Sequence, residues 1–92
     1  MIDYSKLSDT EINEIVSGAM GIPPGDDWCN DPASAWLIIT DNKIDITFDT
    51  DPDIEWAPCR AQGPRGHDCY APVDKALRAA MIVYLMMQEQ KA

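Results

Sequence analysis

The chain is poor in the groups on which most small-protein chemistry depends. It has one histidine, His67, and no Cys-x-x-Cys pair. No glycine-rich loop is followed by Lys-Ser or Lys-Thr, and no apolar run is long enough to span a bilayer. The longest such run, from Ala79 through Met87, is far short of the roughly 20 residues required. Basic residues are scarce: 7 Lys+Arg stand against 16 Asp+Glu, a formal charge of −9. A surface of that sign repels phosphate backbones and anionic membranes, so direct nucleic-acid or membrane binding is not expected. At 92 residues the chain has room for one domain, taken here as 1–92, and not for a multidomain enzyme.

Three cysteines, an odd number, appear without a basic and apolar leader at the N-terminus. Reduced thiols in a soluble, unexported protein are the expectation. Cys29, Cys59, Cys69 and His67 are zinc-type ligands, but their spacing forms no knuckle. Buried cysteines beside a loop histidine account for them more simply, and no cofactor or metal is expected. Asp49, Asp51 and Asp53 begin like a calcium loop, then place Ile54 where the turn needs glycine and Arg60 where a bidentate glutamate belongs. A solvated acidic turn fits better, although six acids between Asp41 and Glu55 also resemble a phosphate-like strip that a DNA-binding host protein could accept. A Cys59 or Cys69 nucleophile with His67 as base rests on residue identity alone, so no enzyme is expected.

The local signals predict an α+β fold. Ser8 and Glu11 form a capping box, with Leu7 and Ile12 in staple positions. Behind it Ile12, Ile15, Val16, Ala19 and Met20 make an apolar stripe, with Asp9, Glu11, Asn13 and Glu14 toward water. Gly21 and Pro23-Pro24-Gly25 stop that helix. Residues 26–34 read as a loop. Ala35–Thr40 and Ile44–Phe48, separated by Asp41-Asn42-Lys43, read as a β-hairpin, with Ile54 and Trp56 in a third strand. Residues 60–67 read as an irregular loop, and Cys69-Tyr70 as a brief return to the sheet. From Pro72 or Asp74 to Gln90 the chain predicts a long helix, with Asp74 and Arg78 as an i, i+4 pair. That helix is apolar all round from Ala79 to Met87, so its second face must meet the rest of the domain or another copy. The expected architecture is an N-terminal helix, an antiparallel sheet of about three strands and a long C-terminal helix packed on it.

Charge is uneven: residues 1–59 hold 13 acids and 2 bases (−11), and residues 60–92 hold 3 acids and 5 bases (+2). Trp28, Trp36 and Trp56 have two readings, as core and as stacking platforms. In the second, a planar ligand of nucleotide type lies between Trp28 or Trp56 and the guanidinium of Arg60 or Arg65.

The segments Tyr4-Ser5-Lys6-Leu7-Ser8-Asp9-x-Glu11-Ile12-Asn13, Cys29-Asn30-Asp31-Pro32-Ala33-x-Ala35-Trp36-x-Ile38-Ile39, Leu77-Arg78-Ala79-Ala80 and Leu85-Met86-Met87 resemble the NinX-like family of small phage and prophage proteins. The resemblance is weakest over Pro52–His67. It implies a phage or prophage origin, expression in the cytoplasm of the bacterial host and a small accessory role, without a defined activity. Asn30 is then either a loop cap or a pocket-rim residue offering both a donor and an acceptor, and Arg78 either a scaffold partner of Asp74 or an anion holder. The resulting expectation is a stoichiometric, non-enzymatic binder, homo-oligomeric. It would counter host defence by sequestering a nucleotide-type signal or masking a host protein. The alternative is a regulatory partner of phage replication or recombination proteins. Trp28, Asn30, Trp36, Trp56, Arg60, Arg65 and Arg78 are the candidate ligand residues.

Overall fold

The computed structural model describes residues 3–48 and 59–91. The chain runs through a 3-10 turn at Tyr4–Lys6, helix α1 (Asp9–Met20), helix α2 (Pro32–Asp41), strands β1 (Asp45–Phe48), β2 (Cys59–Gln62) and β3 (Asp68–Ala71), a second 3-10 turn at Val73–Lys75, and helix α3 (Ala76–Lys91). This is the α+β architecture expected: an N-terminal helix, a three-stranded antiparallel sheet and a long C-terminal helix lying on it.

Helix α1 starts as its capping box requires. The Ser8 Oγ accepts from the Glu11 amide at 3.1 Å, and the Glu11 Oε1 accepts from the Ser8 amide at 3.1 Å. It ends at Gly21, whose φ of 73° is left-handed and lets the Ile22 amide reach the Ser17 carbonyl at 3.1 Å. A side chain at that φ is strained, so Gly21→Ala should lower stability by about 1 kcal/mol. Gly18→Ala, inside the same helix and facing open space, should raise it by about 0.5 kcal/mol. Thermal denaturation of the two variants reads both signs. Ile12 and Val16 are buried and Ile15 half-buried, but Ala19 and Met20 are exposed, so the stripe is shorter than its sequence period. Asn13 does not simply face water. Its amide donates to Asp27 at 2.8 Å and its carbonyl accepts from the Cys29 amide at 3.0 Å, stitching the following loop to the helix.

Residues 35–40 are not a strand. They belong to α2, and the hairpin expected between Ala35–Thr40 and Ile44–Phe48 does not form. Asp31 caps the helix, accepting from the Ala33 amide at 3.1 Å and from the Ser34 hydroxyl at 3.0 Å, while Pro32 occupies the first turn, where its missing amide costs nothing. Ala35, Ile38 and Ile39 are buried at helical spacing, and Trp36 and Leu37 face outward. The helix closes at Asn42 and a left-handed Lys43 (φ 56°), with the Ile44 amide on the Ile39 carbonyl at 3.0 Å.

The sheet has order β1-β2-β3 with antiparallel pairing throughout. Its middle strand is Cys59–Gln62, of which 60–62 fall in the stretch read as an irregular loop, and β3 extends the brief return expected at Cys69-Tyr70. The strand proposed at Ile54 and Trp56 and the acidic turn at Asp49–Asp53 lie outside the described residues. Cys59 and Ala61 are wholly buried on the face that α3 covers. Small residues there let the helix come close: a Cβ on Gly63 would stand 3.0 Å from the Met87 sulfur and 3.2 Å from Val83.

Helix α3 packs on β2 and β3 on one side and on α1 and α2 on the other. Every residue from Ala79 to Leu85 is buried in this way. The all-round apolar run is therefore satisfied within the chain, and by itself no longer calls for a second copy. No helix among the described residues is long and apolar enough to cross a membrane.

Candidate functional site

Directly opposed residues of an antiparallel pair share a face. Ile46 lies opposite Ala61 and Phe48 opposite Cys59, so both belong to the inner face of the sheet. Ala61 and Cys59 are fully covered, whereas Ile46 is half-buried and Phe48 is 57% exposed. The cause is the placement of α3, which lies over β2 and β3 and touches β1 only lightly. Helix α2 stands beside the uncovered column and projects Trp36, 62% exposed, next to it.

Between them runs a groove of about 920 Å³ floored by Ile39, Ile44, Ile46 and Leu77 and walled by Trp36, Phe48 and Pro64. Its polar contributions are few: Thr40, Lys43 and Asp45. The Thr40 hydroxyl is engaged with the Trp36 carbonyl at 2.9 Å, and the Lys43 ammonium lies 3.4 Å from the Thr40 carbonyl at the end of α2.

The residues nominated from the sequence do not assemble into one stacking site. Trp28 is buried and its Nε1 donates to the buried Ser17 hydroxyl at 3.0 Å, so its indole is committed inside. Asn30 donates to Asp27 at 3.1 Å and to Asp9 at 3.3 Å. Arg78 donates to Asp9 at 2.8 Å, to the Tyr4 carbonyl at 3.3 Å and to the Leu7 carbonyl; its ion-pair partner is Asp9, not the expected Asp74. Asp9, read as a water-facing residue, is thus the acid on which Asn30, Arg78 and Lys75 converge, the last at 3.6 Å.

Arg60 belongs to the opposite face of the sheet from Cys59 and Ala61. There its guanidinium stands 5.7 Å over the Tyr70 ring and its Nε 3.6 Å from Asp68, away from any tryptophan described. Arg65 is exposed in the turn between β2 and β3. Trp56 lies outside the described residues. Of the nominated residues that are described, Trp36 alone lines the groove, and the described cation there is Lys43. Phe48 was missed because a strand's alternation looks the same whether or not something covers the column it points into; Leu77, on α3, and Lys43, in the turn after α2, carry no local signal of a groove.

The thiols are shielded. Burial pushes Cys29 up to about 12, with Asp9 adding to the rise, and burial also raises Cys59 and Cys69. Cys59 donates to the Ala71 carbonyl at 2.9 Å. A thiol in such surroundings carries little thiolate at neutral pH. Among the described residues no three His, Cys, Asp or Glu side chains gather as metal ligands.

Fold and groove together define a small α+β protein with an aromatic-walled, largely apolar concavity at an uncovered sheet edge. Residues 22–88, from before α2 to near the end of α3, match the family described as bacteriophage P22 NinX, and the chain belongs to this NinX family of phage proteins. Comparisons with curated proteins and with solved structures gave no match.

Proposed function

We propose that this phage accessory protein acts without catalysis, by stoichiometric contact with other proteins through the groove, and that it counters host antiviral defence by masking a host protein. The observation that carries the reading is the uncovered inner-face column. Phe48 lies opposite a fully buried cysteine yet stays open to solvent, beside an equally open Trp36. Aromatic residues in a depression with few charges are the composition of a protein-interface centre. A polyanionic ligand is less suited to a groove lined by one lysine, with Arg60 and Arg78 engaged elsewhere.

Sequestration of a nucleotide-type signal is the second reading, favoured by Trp36 and Phe48 as stacking faces beside the Lys43 ammonium. Contact with the phage's own replication or recombination proteins uses the same surface and differs in the protein captured.

The test is native mass spectrometry of the tagged protein isolated from a phage-infected bacterial host, alongside Phe48→Asp. The expected result is a stoichiometric protein complex that Phe48→Asp loses while its far-UV circular dichroism stays unchanged. A small molecule released intact on heating would replace this reading with sequestration, and a released reaction product would replace it with catalysis.

A further inference from the structure

We draw no further inference here: the strongest candidate, the aromatic-walled groove between α2 and β1, is an unpartnered apolar surface whose rim runs into residues 49–58, outside the described residues, and nothing in the structure shows what covers it.

Discussion

Replacing Arg78 with methionine should lower the unfolding free energy by about 2–3 kcal/mol, among the largest losses available from a single polar side chain here. The guanidinium, with 15% of its side-chain surface exposed, is where the N-terminal turn, α1 and α3 meet. It serves the Asp9 carboxylate and the carbonyls of Tyr4 and Leu7, partners 69 to 74 residues away in sequence. Methionine keeps much of the stem's packing but leaves both carbonyls without this donor, and Asp9 with only Lys75 and Asn30. Breaking a fully buried pair costs about 3–5 kcal/mol, and the 27% exposure of Asp9 lets water recover part of that. In a domain of this size the loss corresponds to roughly 10–20 °C in Tm. A loss under about 1 kcal/mol in urea denaturation would mean that the cluster is screened by solvent.

The same cluster sets an acid response. Burial by itself raises the Asp9 carboxyl, but the hydrogen bonds from Arg78 and Asn30 and the charges of Lys75 and Arg78 outweigh it and hold the group below the usual carboxylate range. A carboxyl depressed in the folded state contributes stability that is fully present above its unfolded pKa, about 3.9, and is lost as pH falls through the folded value. The stability gap between wild type and Arg78→Met should therefore be constant near neutrality and shrink below about pH 4.

How much of this was legible depended on the range of the interaction. Helix α1 was readable because its signals are local: Ser8 and Glu11 cap one another at its start, and Gly21 closes onto Gly18 and Ser17 at its end. Helix α2 was not, although its start signal was present. Ala35-Trp36-Leu37-Ile38-Ile39 is apolar without a period, so strand and helix compete on equal terms and only the Asp31-Pro32 cap decides. Strand β2 was missed for the opposite reason: its buried positions are Cys59 and Ala61, too small to stand out from Arg60 and Gln62, and their smallness is what lets α3 settle on the sheet. The sheet of three strands was anticipated while its middle member was not. At the level of the site, Arg78 had a plausible acid four residues away and bonded one 69 residues away. No local pattern distinguishes those partners. The exposure of Phe48 is likewise a property of where α3 lies, not of the strand that carries it.

Trp28 and Ser17 should behave as one sealed pair, and truncating the tryptophan should be the most damaging core change tested. Trp28 is 4% exposed and Ser17 0%, with the indole Nε1 donating to the hydroxyl at 3.0 Å across 11 residues. Trp28→Ala removes the ring and leaves a cavity between α1 and the loop it stitches down, a loss of about 3–5 kcal/mol. Trp28→Phe keeps most of the volume but strands the serine hydroxyl without its donor, and Ser17→Ala strands the indole N–H. Each should cost about 1–3 kcal/mol, because an unpaired buried polar group loses its hydration and gains nothing in return. The double variant W28F/S17A removes both polar groups, so it should be less destabilised than the sum of the singles, with a coupling of about 1 kcal/mol in a double-mutant cycle. Additive costs would mean that water reaches the pair. In that case the Trp28 edge is open, and the ligand-facing role expected for it from the sequence regains its footing against Trp36.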